Sequence, residues 1–397
     1  MQEISSAGGL GVSPRYNSSP FLARKGDKGD GSREGMGASG TVLRLILQAS
    51  TRHASTAMNI ELTEEQEMLR ASARDFLEKE CTERVVQEIE ASGLGYSPEL
   101  WRKIASLGWL GLVLPEQVGG SGMDLVDQAV LCEELGRAMF PGPYVPTVVI
   151  AGLTIAEQGS EAQKSVILPG LIEGNTIAAV TLDEPRLGSP GMVYGPESVK
   201  IQATSDGAGF VLNGRALFVI YAGIASTFLV PARTSAGSGP EDGITLFLVD
   251  SGTPGITVTP LTSLSWDNPC EVVLDGVSVP REGVLGQIDH GWTSLSRSMQ
   301  IGAVMQAAQM LGAGERLHQI AREDYETRVR ASESARDSFT VEYLARLRRE
   351  LDSCRLASYE AARRLVAGER GEFDNMVVNA WKSSTTARAD SATRGVI

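Results

Sequence analysis

Only three histidines, His53, His290 and His318, are available for chemistry in this chain. So few imidazoles exclude a His-rich metal centre. A serine or cysteine nucleophile would need one of them as its base, and for His290 and His318 a packed or solvated ring is the simpler reading. The four cysteines, Cys81, Cys132, Cys270 and Cys354, are far apart and form no CxxC pair. That spacing supports neither a disulfide scaffold nor structural zinc, and suits a reducing compartment. There is no GxGxxG after a strand, no GxxxxGK[ST], no HExxH and no GxSxG. Gly312-Ala313-Gly314 sits inside a helical period, where it permits close helix packing rather than phosphate binding. One polar, Gly-bearing stretch stands out, Asp183-Glu184-Pro185-Arg186-Leu187-Gly188-Ser189. Composition alone makes it a surface loop.

The frame around these residues is ordinary in composition. The chain has 397 residues, 42% hydrophobic and 21% charged, enough for two or three domains with a sizeable core. Its 49 acids and 36 bases give a net charge of −13, which argues against holding a nucleic-acid backbone. No apolar run approaches 18 residues; the nearest, Val145 to Ala156, is broken by Pro146 and Gly152, so no membrane span is expected.

Residues 1–57 are rich in Gly and Ser, lack periodicity, and read as a disordered leader or a mis-assigned start ahead of Met58. Val42 to Ala57, with Arg44 and Arg52, also has the look of a transit peptide. The expected location is therefore the cytoplasm if Met58 is the start, or the mitochondrial matrix if the leader targets the protein there.

Three zones follow: 58–175 helical, 176–288 strand-patterned and 289–397 helical again. Thr63 and Gln66 form a capping box ahead of Ala73, Phe76 and Leu77. Ser97-Pro98 opens a second helix, and Gly119-Gly120-Ser121-Gly122 precedes a third carrying Val126, Val130 and Leu135. In the strand zone, Asn213-Gly214 predicts a hairpin turn and Asp275-Gly276 another. Ile244–Val249 and Ile256–Val258 are strand candidates. After Gly291, Ile301, Val304, Met305, Ala308 and Leu311 restore the helical period, as do Tyr343, Leu347, Leu351 and Cys354. Helices, strands, helices in that order predict an α+β fold: an N-terminal helical domain, a central antiparallel β domain and a C-terminal helical bundle, rather than a doubly wound sheet.

From Met58 onward, six segments in order resemble the acyl-CoA dehydrogenases. The opening Leu62-Thr63-Glu64-Glu65-Gln66 resembles the family's start. Leu114-Pro115-Glu116, Gly119 to Asp124 and Glu133-Glu134-Leu135-Gly136 resemble "PExxGGxGxD…EELG". Glu184-Pro185 and Gly188-Ser189 resemble the "TEPxxGSD" flavin loop. Leu212-Asn213-Gly214 with Phe218-Val219 resembles "LNGxKxFI", and Val277 to Pro280 with Leu285-Gly286 resembles "VxVPxxxLLG". Tyr325 and Arg328 fall where "YxxxR" precedes the family's "QFG".

This resemblance implies FAD between the sheet domain and the C-terminal helices, an acyl-CoA substrate, and electron transfer to an electron-transferring flavoprotein. It implies that backbone groups of Leu182 and Asp183 bond the flavin's pyrimidine edge and that Gly188 and Ser189 shape the loop, with Ser189 touching flavin or CoA ester. Phe218 resembles the aromatic packed on the isoalloxazine, with Val219 and Ile220 beside it. Arg328 would reach the pyrophosphate in a neighbouring subunit. The chain is expected to form a homodimer, homotetramer or heterotetramer, with no metal site.

The sequence departs from the pattern at several points. Asp183 replaces the motif's Thr, Pro190 its Asp, and Ile220 stands where a Thr or Ser would bond flavin N5. Arg330-Ala331-Ser332 replaces Gln-Phe-Gly, and Thr293 to Ala313 contains no acid. The catalytic residue is therefore unknown from sequence: one subgroup carries its base in that helix, and others carry it in a C-terminal loop that would begin about where Gly395-Val396-Ile397 ends the chain. Three functions follow as expectations: an FAD-dependent dehydrogenase shortened at its C-terminus, a non-catalytic subunit of a heteromeric dehydrogenase, or an oxidase or monooxygenase on the same fold.

Overall fold

Thr63 opens the first helix as its spacing predicts. In the computed structural model, which describes residues 61–183, 195–263, 267–332 and 337–368, its hydroxyl accepts the Gln66 N–H at 3.2 Å and Gln66 Oε1 accepts the Thr63 N–H at 3.1 Å. The leader, Gly188, Ser189 and Pro190 lie outside the described residues. Helix α1 (Glu64–Glu80) buries Ala73 and Leu77, and α2 (Glu83–Ser92) follows under a Thr82 cap. Helix α3 (Pro98–Ser106) begins on Ser97 with proline in its first turn, where a missing N–H costs nothing. Asp124 caps α4 (Leu125–Arg137), accepting the N–H groups of Val126 and Asp127. Gly120 in the turn before it is required by space, because a methyl group there would overlap the Leu114 carbonyl.

The apolar run broken in sequence by Pro146 and Gly152 folds as a π-helix, Tyr144–Gly152, continued by α5 (Leu153–Gln158) and α6 (Glu161–Ile172). The Thr147 hydroxyl donates to the Ala178 carbonyl at 2.8 Å, fastening this buried segment to the first strand.

The strands are β1 (Ala178–Val180), β2 (Gln202–Ser205), β3 (Gly209–Ile220), β4 (Thr227–Arg233), β5 (Ile244–Asp250), β6 (Ile256–Pro260), β7 (Pro269–Pro280) and β8 (Val284–Leu285). They form one sheet in the order β6-β7-β3-β2-β4-β5-β8, with β1 paired to β4. Most pairs are antiparallel, but β1 runs parallel to β4 and β2 meets β4 in parallel at one position, so the sheet is mixed rather than purely antiparallel.

Neither predicted turn is a turn. Asn213-Gly214 lies within β3 and Asp275-Gly276 within β7, where they face each other across a bulge in the long β3–β7 ladder. Asn213 Oδ1 accepts the Gly276 N–H at 2.8 Å, and the glycines carry φ values of +143° and +64°. The same positive-φ residues that make two-residue hairpins also make bulges, and here pairing on both sides lets the strands continue. The hairpin between β2 and β3 instead turns at Asp206-Gly207-Ala208, with Asp206 Oδ1 accepting the N–H groups of Ala208 and Gly209.

Asp289 connects the sheet to the last helices. At φ +68°, its carboxylate accepts the hydroxyls of Thr234 at 2.6 Å and Ser235 at 3.0 Å, and its N–H reaches Thr245 Oγ1. Helix α7 (Trp292–Ala331) then crosses α4 at very short range: a methyl on Gly312 would overlap the Glu133 carbonyl, and one on Gly136 the Gln309 carbonyl. The close packing expected at Gly312 is therefore its role. Helix α8 (Ser338–Val366), capped by Asp337, buries Tyr343, Leu347, Leu351 and Cys354 as the periodicity predicts. The α+β order of helices, sheet, helices is the observed fold.

Candidate functional site

Two of the segments singled out by sequence meet where β1 ends. The chain leaves β1 through Thr181 and Leu182 into Asp183, whose N–H donates to the Ser198 carbonyl at 3.1 Å. Its carboxylate accepts the Leu217 N–H at 3.0 Å. That bond falls in a second bulge of β3, between Ala216 and Val219, where the ladder to β7 loses register. The next residue, Phe218, has φ +58° and keeps 42% of its surface exposed. A left-handed conformation costs an L residue about 1–2 kcal/mol, and a bulge turns the ring of Phe218 out of the ladder instead of burying it as strand alternation would. Val219 is buried and Ile220 half-buried. Tyr221, again left-handed at φ +56°, is buried; its N–H donates to the Asp267 carbonyl at 2.9 Å and its hydroxyl is bonded by the Gly142 backbone. Burial pushes its phenol pKa up, with the Asp267 charge adding to the effect.

The result is a platform where β1 ends beside the second bulge of β3. It carries an outward aromatic ring, a carboxylate clamping the backbone beside it, and the π-helix segment packed behind. Thr181 Oγ1 is buried here and has no hydrogen-bond partner among the described residues. An unpaired buried hydroxyl is costly and suits a site that a bound group completes.

Arg328 is not brought to this platform by any described contact. It pairs with Asp324 at 2.9 Å, one turn back on α7, with both side chains more than half exposed. The structure thus gives it the role of a solvated helix arginine within this chain. The thiols are no nucleophiles: all four are buried and outside any disulfide, and burial pushes Cys81 and Cys132 up to about 12. His318 Nε2 lies 3.1 Å from the Leu344 carbonyl, tying α7 to α8. No group of three or more metal-binding side chains occurs among the described residues, nor is any described helix long and apolar enough to cross a membrane.

A second polar constellation was missed by sequence reasoning. Arg355 on α8 bonds Glu133 of α4 at 2.8 Å and Glu315 of α7 at 2.7 Å; Arg348 grips both Glu315 oxygens, and the Tyr359 hydroxyl donates to Glu133 at 2.8 Å. Burial raises the Glu315 pKa, but the guanidinium groups of Arg348 and Arg355 outweigh it and hold the carboxyl below its ordinary value. Arg348, Arg355 and Tyr359 recur at seven and four residues along one helix face, a signal that sequence could have yielded had a buried acid opposite been suspected. With its charge spent on two arginines, Glu315 is a structural anion.

The sequence matches the acyl-CoA dehydrogenase N-terminal domain over 63–175, the middle domain over 179–277 and the C-terminal domain over 289–394. It is 30% identical over 261 residues to an acyl-CoA dehydrogenase of Bacillus subtilis, covering 64% of this chain and 67% of that one. Among solved structures it resembles the butyryl-CoA dehydrogenase of Megasphaera elsdenii, with a TM-score of 0.74, 28% identity and coverage of 84% and 87% of the two chains. It also resembles the ChsE4-ChsE5 complex of Mycobacterium tuberculosis, with a TM-score of 0.70, 26% identity and coverage of 83% and 84%. Three domain matches in order, on a fold whose helices and sheet follow the same order, place this chain in the acyl-CoA dehydrogenase family, as an oxidoreductase acting on acyl-CoA.

Proposed function

We propose that the chain binds FAD on the Phe218 platform and serves the α,β-dehydrogenation of an acyl-CoA thioester, with electrons leaving to an electron-transferring flavoprotein. The observation carrying this reading is the bond from Leu217 N–H to Asp183, which joins the two segments that resemble the family's flavin loops beside an exposed ring. The residues fit such a group. Phe218 offers an apolar face for a flat conjugated ring, and Thr181 Oγ1 is a buried hydroxyl with no hydrogen-bond partner among the described residues. FAD, when bound, supplies the acceptor for the hydride that leaves the β-carbon.

The chain's own part is to orient and to exclude water. Leu182 and Asp183 offer their backbone carbonyls to the pyrimidine edge, their N–H groups being given to Val180 and Ser198, and the Asp183 clamp holds the bulge so that Phe218 cannot relax into the strand. Gly188, Ser189 and Ile220 complete the proposed contact set, and Arg328 serves the cofactor only across a subunit boundary. The α-proton goes to a carboxylate outside the 293–313 stretch of α7, since that stretch has none and Glu315 just beyond it is paired with Arg348 and Arg355.

That last observation also favours a second reading, in which this is the subunit of a heteromeric dehydrogenase whose partner carries the base. The likeness to the ChsE4-ChsE5 complex supports it. An anaerobic visible spectrum with a panel of acyl-CoAs tests both. Bleaching of bound flavin by one of them supports the active enzyme. Flavin that stays oxidised until a homologous subunit is added supports the second reading, and failure to retain flavin in either case refutes the proposal.

A further inference from the structure

We infer that the Asp183 carboxylate lowers the reduction potential of the bound flavin. The inference rests on the flavin reading above and adds a direction to it. Asp183 is held at both ends: its N–H by the Ser198 carbonyl at 3.1 Å and its carboxylate by the Leu217 N–H at 3.0 Å. It therefore cannot swing away from the bulge that presents Phe218, and it lies half-buried one residue from Leu182 at the end of β1. The family motif that this segment resembles has a threonine hydroxyl at this position, so the difference here is a full negative charge.

The electron count gives the sign. A saturated acyl-CoA loses its α-hydrogen as a proton to a base and its β-hydrogen as a hydride. The hydride brings two electrons and one proton to the flavin, which gains one negative charge overall, shared along the pyrimidine edge. An anion fixed beside that edge repels the reduced form and leaves the neutral oxidised form almost untouched, and partial burial strengthens the effect over its value in water. The equilibrium between saturated thioester with oxidised flavin and unsaturated thioester with reduced flavin thus shifts toward the saturated side. A protein so tuned oxidises its substrate less readily and reduces an unsaturated thioester more readily than one with a neutral residue at 183.

The test is a spectroelectrochemical titration of the FAD-loaded full chain against a reference dye. It compares wild type with Asp183→Asn, which keeps an oxygen acceptor for Leu217 and removes the charge, with Asp183→Thr, and with Asp183→Glu. The expected result is about a tenfold higher ratio of reduced to oxidised flavin at fixed ambient potential in both neutral variants, ~30 mV for a two-electron couple, with Asp183→Glu close to wild type. Should Asp183→Asn fail to fold, Asp183→Thr carries the same expectation. Equal potentials in wild type and the neutral variants, with flavin bound in all, would overturn the charge effect and leave the flavin reading standing. A wild-type chain that binds no flavin would overturn both.

Discussion

Phe218 combines an energetic cost with an exposed apolar ring, and the two together make sense only if something covers it. Replacing it with alanine is expected to raise the dissociation constant for FAD about tenfold, from the loss of roughly 1–1.5 kcal/mol of ring contact. The unfolding midpoint should stay near that of wild type, because the ring adds little to the core; a fluorescence titration beside a thermal melt checks both. Phe218→Gly separates cost from use further. Glycine accepts φ +58° without strain, so this variant should bind flavin as poorly as the alanine variant while melting at or above the alanine variant's temperature. The residue types at 182–183 and 218 were readable from their order among the family's motifs. The left-handed backbone at Phe218 and Tyr221 was not, since neither residue type favours that conformation; at Phe218 the bulge opposite β7 and the Asp183 carboxylate, 35 positions earlier in the chain, hold it.

Helix ends were readable because capping is local: Thr63 and Ser97 act within three residues of themselves. The Asn213-Gly214 and Asp275-Gly276 pairs were misread because a turn and a bulge ask the same backbone freedom of glycine, and only the partner strand decides between them. Helix–helix registry is fixed by contacts that sequence hints at faintly. Gly312→Ala should destabilise the fold by about 1–3 kcal/mol, as the added methyl forces α7 away from α4, seen as a lower urea midpoint at unchanged slope. The Glu133–Arg355–Glu315 network ties α8 to the same pair of helices. Arg355→Met takes one guanidinium from buried Glu133, which keeps Tyr359, and from half-buried Glu315, which keeps Arg348, and should cost about 1–3 kcal/mol, while a cycle with Glu315→Gln should show coupling of more than 0.5 kcal/mol.

Glu315 also sets a pH dependence for the folded chain. Its carboxyl lies below the ordinary value of 4.5 in the fold, so its stabilising contribution is complete above that value. It drains away as pH falls through the folded-state value. Urea midpoints measured downward from pH 6 should fall more steeply in wild type than in Glu315→Gln, and parallel curves would assign acid sensitivity to other carboxylates. For the molecule as a whole, the order of helical, strand and helical periods gave the fold class without any site, because segregated layers leave a coarse signature along the chain. The site was readable only as a set of candidate loops: Asp183 and Phe218 are 35 positions apart, and nothing local says that one holds the backbone of the other. On the proposed function these two residues frame a flavin, and a crystal structure of the FAD-soaked protein is the decisive measurement. The isoalloxazine ring is expected against Phe218, with its pyrimidine edge at Leu182 and Asp183; flavin bound elsewhere, or density absent from that platform at saturating FAD, would refute the reading.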